Sequence, residues 1–247
     1  ATQLTLTDTT VSKVSDGTTI SGITIDEVLT IGEGVTSDIT TSGTATVPVF
    51  STNLFAGNNS EQTINNGIDL ESGGGLVWIK NRTLDGSNNT LYDTTSVGTL
   101  FSDAQNPDSD YSSEILSYNN DGFTLVDGST SVYSNKSGYN YVSWTFREAP
   151  GFFDIVNYSG NGSTNQEFSH SLGSMPGMVM IKNLSRSSGW FVWIDDSITS
   201  LEGELNTNGN FGYNVIGTVT DTTVQTLYSD QTSTNRTGDN YVADRKS

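Results

Sequence analysis

Short apolar stretches alternate with polar and glycine-rich clusters about every ten residues along most of the chain. The clearest stretch is residues 74–81, in which an apolar, partly β-branched run follows two glycines. A run of this kind, entered from a tight turn, is typical of a buried β-strand. No stretch shows the sustained period of three to four residues that an amphipathic helix requires. The pattern predicts an all-β fold of the sandwich or barrel kind.

The apolar stretch at 74–81 returns as residues 176–183, roughly one hundred positions later. Further matches keep nearly the same offset and the same order. They pair Ile79 with Ile181, Asp93 with Asp195, Gly57-Asn58 with Gly160-Asn161, and Asn140-Tyr141-Val142 with Asn240-Tyr241-Val242. Such a series indicates an internal duplication. We call residues 51–150 repeat 1 and residues 151–247 repeat 2, and we expect each to form an antiparallel β-sandwich of the jelly-roll or lectin-like kind.

Residues 1–50 differ from the two repeats, because small Thr, Ser, Val and Ile residues alternate there without tryptophan or tyrosine. A segment without large aromatic side chains forms a poor core by itself. We therefore expect an extended β segment that attaches to other proteins or pairs with copies of itself, for example around a threefold axis. A loosely attached arm is the alternative.

Two local features of the repeats give specific expectations. The sequence Asn119-Asn120-Asp121-Gly122 predicts a hairpin in which Asp-Gly supplies the positive φ angles of a type I′ turn. Alternation along residues 139–146 predicts that Trp144 and Phe146 are core residues. The matching strand of repeat 2 is predicted over residues 240–243, so that it either ends early or is completed from elsewhere.

The charge balance excludes several classes of function. Ten basic and 28 acidic residues give a formal charge of −18, so no basic face is available for nucleic acid. The same acidity keeps a β-rich protein soluble. Cysteine is absent, which excludes disulfides and thiolate metal sites. No apolar run approaches the twenty or so residues of a membrane span, so membrane insertion is not expected.

Catalytic motifs are sparse, and we predict that the protein is not an enzyme. His170 is the single histidine, and no Gly-x-Ser-x-Gly nucleophile motif accompanies it. A turn-stabilising hydrogen bond is the expected role of His170. Asp195 and Asp196 are neighbours on a predicted strand, where side chains alternate between faces, so they are not placed to act on one glycoside.

One acidic loop is the candidate for a metal ion. Asp103, Asp108 and Asp110, followed by Glu114, form a stretch dense in the hard oxygen ligands that Ca²⁺ prefers. The loop lacks the central glycine and the flanking helices of the helix-loop-helix calcium site. The expectation is therefore that no cofactor is needed, with calcium at these four carboxylates as the open alternative.

Aromatic side chains beside polar residues are the candidates for ligand binding. Trp190, Tyr111, Tyr133 and Tyr139 combine flat rings with neighbouring Asn, Ser or Asp. Sugar recognition uses this mixture, because a ring can stack on a sugar face while polar groups bind its hydroxyls. Trp78 and Trp193 are expected to be core residues instead.

Both repeats carry several further short motifs. The motifs in repeat 2 are Phe152-Phe153-Asp154-Ile155-Val156, Tyr158-Ser159-Gly160-Asn161-Gly162, His170-Ser171-Leu172-Gly173, Pro176-Gly177-Met178 and Ile181-Lys182-Asn183. Those in repeat 1 are Gln62-Thr63-Ile64, Gly67-Ile68-Asp69-Leu70, residues 74–81, Asp121-Gly122-Phe123 and residues 141–152.

Together these motifs resemble a repeat of tail-fibre and other virion proteins of marine phages, especially cyanophages. The resemblance covers about residues 53–243 and implies a virion structural protein on the particle surface, with no catalytic residues. The expected role is that of a tail-fibre or other exposed adhesion component. Its expected partners are copies of itself in a homotrimer or other homo-oligomer, other virion proteins, and a glycan of the host cell surface. The alternatives are a capsid decoration protein without a ligand and a secreted carbohydrate-binding module.

Overall fold

The computed structural model describes residues 47–96, 98–107, 113–128, 132–195, 200–206 and 215–246. Within these residues the structure is almost entirely β-strand, and the strands pair antiparallel, which confirms the predicted all-β fold. None of the described residues belongs to a helix that is long and apolar enough to cross a membrane. Residues 1–46, for which an extended β segment was predicted, lie outside the described residues.

Repeat 1 contains eight described strands and one short helix. These are β1 (Phe50–Ala56), β2 (Gln62–Asn65), α1 (Leu70–Gly73), β3 (Gly75–Asn81), β4 (Asn89–Asp93), β5 (Leu100–Phe101), β6 (Ile115–Asn119), β7 (Gly122–Leu125) and β8 (Asn140–Arg147). Repeat 2 continues with β9 (Phe153–Ser159), β10 (Glu167–Ser169), β11 (Met178–Asn183), β12 (Trp190–Asp195), β13 (Ser200–Glu204), β14 (Ile216–Val219), β15 (Thr223–Thr226) and β16 (Asn240–Lys246).

The two repeats share one topology, strand by strand. Repeat 1 has a five-stranded sheet in the order β1-β8-β3-β4-β5 and a small sheet in the order β2-β7-β6. Repeat 2 has a five-stranded sheet in the order β9-β16-β11-β12-β13 and a small sheet in the order β10-β15-β14. Asp93 and Asp195, matched in sequence, are the last residues of the matching strands β4 and β12. The duplication read from the sequence is thus present in the strand order.

Three buried clusters define the layers of the molecule. In repeat 1 a cluster that includes Val77, Ile79 and Phe123 lies between the five-stranded sheet and its small sheet. The corresponding cluster of repeat 2 includes Val179, Ile181 and Val224. The third cluster joins the two repeats, because its residues come from both five-stranded sheets. Its members are Leu76, Leu91, Leu100, Phe153, Ile155, Met180, Trp190, Val192 and Val242.

The inner strands of each five-stranded sheet are therefore covered on both faces, by the small sheet of the same repeat on the outer face and by the other repeat on the inner face. This explains why β8 departs from the expected pattern. Trp144 and Phe146 lie on the inner face and are half-buried, whereas Tyr141, Ser143 and Thr145 on the outer face are fully buried. Trp144 and Phe146 were predicted to be core residues; Phe146 packs against the third cluster, but both side chains remain half-buried, because the small sheet covers the opposite face of β8 more completely.

The predicted hairpin joins β6 to β7, but its turn differs from the expected one. Asn119 pairs with Gly122, so Asn120 and Asp121 are the two connecting residues, and neither has a positive φ. Gly122 instead begins β7 with a φ of 133°, where a Cβ atom would lie 2.0 Å from the carbonyl oxygen of Ile64. The glycine is required by close strand approach and not by a type I′ turn.

The last strand of repeat 2 is nearly complete. β16 spans seven residues and β8 spans eight, and β16 pairs with β9 along its whole length. Residues 244–246 thus belong to the strand that was expected to end at residue 243. Within the described residues, Pro48–Ser247 form one compact unit.

Candidate functional site

An asparagine is the last residue of the central strand in each five-stranded sheet. The side-chain amide of Asn81 donates to the carbonyl oxygen of Val132 (2.9 Å), and that of Asn183 donates to the carbonyl oxygen of Thr232 (2.7 Å). In both copies the side-chain oxygen accepts hydrogen bonds from the backbone N–H groups two and three residues further on. These asparagines are buried and hold the following loop to the sheet.

A buried tyrosine reaches the same two carbonyl groups. The hydroxyl of Tyr141 donates to Val132 O (3.0 Å) and that of Tyr241 donates to Thr232 O (3.1 Å). Each hydroxyl also accepts a hydrogen bond from the backbone N–H five residues earlier in the chain. Burial raises the pKa of each tyrosine to about 12, because ionisation would leave a charge away from water.

A second buried asparagine and a close-packed glycine complete the loop junction in each repeat. The amides of Asn135 and Asn235 donate to backbone oxygens in the loops that follow β1 and β9, each over 2.6 Å. At Gly57 and Gly160 a Cβ atom would lie 2.2 Å from a backbone carbonyl oxygen of the same junction. The matched Gly-Asn and Asn-Tyr motifs of the sequence thus belong to one loop junction that is present in both repeats.

Repeat 2 adds an ion pair that repeat 1 cannot form. The guanidinium Nε of Arg186 lies 2.8 Å from a carboxylate oxygen of Asp239, and Asn183 donates to the other oxygen over 3.0 Å. Burial by itself would raise the pKa of Asp239, but the hydrogen bonds from Asn183 and Arg186 hold it below its usual value. Leu84 and Tyr139 stand at the corresponding positions of repeat 1.

Beside this loop an open depression of about 410 Å³ lies on the inner face of the second five-stranded sheet. Its lining residues are Asn157, Tyr158, Ser159, Leu184, Asn240 and Tyr241. Asn157 and Asn240 are exposed, and the hydroxyl of Ser159 donates to the side-chain oxygen of Asn240 over 2.8 Å. The lining presents amides, a hydroxyl and one aliphatic side chain and contains no ionisable acid or base other than tyrosine.

The equivalent position in repeat 1 has a different character. Leu54 occupies the place on β1 that Asn157 occupies on β9, as shown by the pairing of Leu54 with Val142 and of Asn157 with Val242. Leu54 is 62% exposed. The duplicated sheets therefore present a polar depression in repeat 2 and an apolar surface at the matching position of repeat 1.

Trp190 does not form the exposed stacking surface that the sequence suggested. Its side chain is fully buried between the two five-stranded sheets, and its indole N–H donates to the carbonyl oxygen of Phe101 over 2.7 Å. Neither ring face is open to a ligand. The prediction was wrong because repeat 1, and not solvent, covers the inner face of β12.

Two of the three predicted tyrosines lie within the described residues, where each packs against other side chains of repeat 1. Tyr133 is half-buried and packs edge-on against Phe101, with 5.1 Å between the ring centroids. Tyr139 is half-buried against the outer cluster of repeat 1. Tyr111 lies outside the described residues.

The predicted calcium ligands are only partly within the described residues. Asp103 accepts a hydrogen bond from the backbone N–H of Asn89 over 3.1 Å, and Glu114 accepts one from the hydroxyl of Ser134. Asp108 and Asp110 lie outside the described residues. Among the residues that the structure describes, no group of three or more acidic or histidine side chains is arranged to hold a metal ion.

His170 stabilises a turn, as the sequence suggested. Its Nε2 lies 3.1 Å from the carbonyl oxygen of Thr220, and its Nδ1 accepts from the backbone N–H of Leu172 over 3.4 Å. This pairing assigns the proton to Nε2. Both ring nitrogens thus bind backbone groups of neighbouring loops.

The most deeply buried glutamate also bonds to backbone groups. Both carboxylate oxygens of Glu202 on β13 accept hydrogen bonds, from the N–H groups of Val215 and Ile216 at the start of β14. Burial raises the pKa of Glu202, and the two backbone hydrogen bonds partly oppose that rise. The side chain fastens the small sheet of repeat 2 to the edge of the large one.

Asn157, Leu184 and Asn240 were not found by reasoning on the sequence. A signal was available, since Phe153, Ile155 and Asn157 alternate along β9 and the last member is polar. The change from apolar residues to Asn157 marks the point at which the inner face of β9 becomes exposed. The position of β16 between β9 and β11, which brings the three residues together, could not be predicted from the sequence.

Comparison with known proteins gives one result. The model of the family described as a domain of unknown function, DUF7483, matches residues 46–244. The match covers most of the chain, which therefore belongs to this family. No curated protein and no solved structure matches the chain.

Proposed function

We propose that this member of the DUF7483 family is a non-enzymatic structural component exposed on a phage particle, as a tail-fibre or other adhesion subunit. The motif resemblance of residues 53–243 supports the virion location. The buried polar side chains support a structural role. The asparagines, the tyrosines and Glu202 form hydrogen bonds with backbone groups and thereby hold loops and sheets in place.

The depression formed by Asn157, Leu184 and Asn240 carries the adhesion part of the proposal. Amides and a hydroxyl beside an aliphatic side chain match the hydroxyl groups and apolar ring faces of a neutral glycan. Each hydrogen bond gained there replaces one to water and is worth about 1 kcal/mol, so one open site binds weakly. Many copies on one particle would raise the avidity without a strong single site.

The experiment compares single and multiple presentation of the full chain. Biotinylated protein is tested free in solution and on streptavidin beads against a panel of neutral bacterial surface polysaccharides and whole cells. We expect retention on the beads, weak binding in solution, and unchanged polysaccharide length. Asn157→Ala should reduce retention several-fold, whereas Asn65→Ala, an exposed asparagine on β2, should not.

The other outcomes separate the alternatives. Shortened polysaccharide would contradict the non-enzymatic role. Tight binding by the free protein would favour a secreted carbohydrate-binding module. Binding to particles from which the protein has been removed, with no retention of any glycan, would favour a decoration subunit.

A further inference from the structure

The two five-stranded sheets face each other with a shift of one strand. At one end, β9 lies opposite β8, with 5.5 Å between the ring centroids of Phe153 and Phe146. At the other end, Trp190 of β12 donates to the carbonyl oxygen of Phe101 on β5. β9 also contacts β3, and none of the residues of the third cluster comes from β1 or β13. The contacts between the sheets thus leave out the edge strands β1 and β13, which lie at opposite ends of the paired sheets.

The inner face of β1 is exposed and carries two large apolar side chains on either side of Thr52. Phe50 and Leu54 pair with Phe146 and Val142, which places them on the inner face, and they are 47% and 62% exposed. The half-buried Trp144 of β8 lies on the same face beside them. We call Phe50, Leu54 and Trp144 the β1 strip.

The inner face of β13 is also apolar and exposed. Leu201 pairs with Ile194, and the N–H of Leu205 donates to the carbonyl oxygen of Trp190, so both leucines extend the inner face. They are 39% and 40% exposed. We call Leu201 and Leu205 the β13 strip.

The duplication shows what a covered version of the β1 strip looks like. Phe153 is the first residue of β9, as Phe50 is of β1, and it is 4% exposed because it faces the sheet of repeat 1. Single exposed apolar residues are ordinary. Two strips that continue one buried interface at its two ends are a different case, because each could be buried by the same kind of packing.

We propose that a second copy of this chain covers these strips, with the β13 strip of one copy packed over the β1 strip of the next. Such a contact continues the face-to-face packing that already joins the two repeats. A second copy accounts for both strips at once.

The contact is head-to-tail, because each copy contributes a different strip. Repetition of such a contact gives a closed ring or an open filament. The inference goes beyond the proposed function and does not depend on a glycan. It also differs from assembly through the N-terminal segment, since both strips belong to the sandwich.

The test measures the mass of the full chain by light scattering and sedimentation over a wide range of concentration. Leu54→Asp and Leu201→Asp each place a charge on one strip, and each should raise the dissociation constant about tenfold or more. Leu116→Asp is the matched control, because Leu116 is 54% exposed on β6, away from both strips. Leu54→Ser and Leu201→Ser repeat the test without an added charge.

Mixing the two aspartate variants gives the decisive result. Each variant keeps one intact strip, so the mixture should form a one-to-one dimer that cannot grow, whereas each variant by itself should remain a monomer. Recovery of the dimer also shows that both variants are folded. A wild-type chain that stays monomeric at every concentration, an effect of Leu54→Asp without one of Leu201→Asp, or no recovery on mixing would each overturn the proposal.

Discussion

At the scale of single residues, the duplicated polar junctions are what the two repeats share most closely. Asn81 and Asn183 make the same hydrogen bonds, and Tyr141 and Tyr241 share their acceptor carbonyls. A buried polar group is costly unless its hydrogen bonds are made, so each member depends on the others. This mutual dependence explains why the matched sequence motifs are short, polar and placed at strand ends.

Replacing either buried tyrosine with phenylalanine should lower stability in a way that depends on pH. The lost hydroxyl leaves the backbone N–H of Lys136 or Arg236 without its acceptor and removes one of the two hydrogen bonds to the shared carbonyl oxygen. Tyr141→Phe and Tyr241→Phe should therefore each cost about 1–3 kcal/mol at pH 8. The pKa of each tyrosine rises from 10.0 in the unfolded chain to about 12 in the folded one. The tyrosine contribution is therefore fully present below pH 10 and is lost as the pH rises towards 12.

Urea unfolding at pH 8 and pH 11 measures both effects. The difference in unfolding free energy between the wild type and each variant should shrink at pH 11. Tyr228→Phe is the control, because Tyr228 is 51% exposed and should have little effect at either pH. A difference that stays constant or grows with pH would contradict the assigned role of the buried hydroxyls.

At the level of secondary-structure elements, the positions of the strands could be predicted from the sequence. The elements that pack against each face of a strand could not. The apolar runs at 76–80 and 178–182 fall within β3 and β11, because a short β-branched run bounded by glycine or asparagine has a strong local preference. In β12 the residues Trp190–Trp193 are all buried, so the sequence pattern does not show which face of the strand contacts repeat 1. The prediction of Trp190 as a ligand surface, which followed from its polar sequence neighbours, is wrong because its side chain lies against repeat 1.

Glu202 provides a prediction about how one element is held to another. Glu202→Gln replaces an oxygen that accepts a backbone N–H with an amide group that can only donate, so the start of β14 should lose a partner at about 1–3 kcal/mol. Burial raises the pKa of Glu202, so its contribution is greatest below the unfolded value near 4.5 and decreases as the pH rises through the folded value.

Thermal or urea unfolding at pH 7 and pH 4 checks this expectation. The stability gap between wild type and Glu202→Gln should be larger at pH 4. Glu204→Gln, on the same strand, is the control and should have a smaller effect at both pH values. A gap that disappears at pH 4 would show that the carboxylate charge itself, and not its buried hydrogen bonds, holds β13 to β14.

At the level of the whole molecule, the two repeats have the same strand topology and pack against each other through the inner faces of their five-stranded sheets. The internal offset predicted the duplication but could not reveal this joining, because it depends on contacts between sheets distant in sequence. Lys182 shows the same point. Its fully buried ammonium donates to the carbonyl oxygen of Gln105 in repeat 1 and to that of Ser188 in its own loop.

The polar depression and the apolar strips could be found only after this packing was known. Asn157 and Leu54 occupy matching positions, and nothing in their local sequence states that one borders a depression while the other extends past the opposite sheet. Their difference gives the two repeats separate roles in the proposed account, with glycan contact in repeat 2 and a contact surface for another copy in repeat 1.

Differential scanning calorimetry of the full chain at low concentration shows whether the two repeats share one interior. We expect one transition for the sandwich, with equal calorimetric and van't Hoff enthalpies. Trp190→Phe removes the hydrogen bond to Phe101 and leaves a small cavity, so it should shift that whole transition to lower temperature, by about 1–3 kcal/mol in stability. Two separate transitions, or a shift of only one of them, would contradict a shared interior.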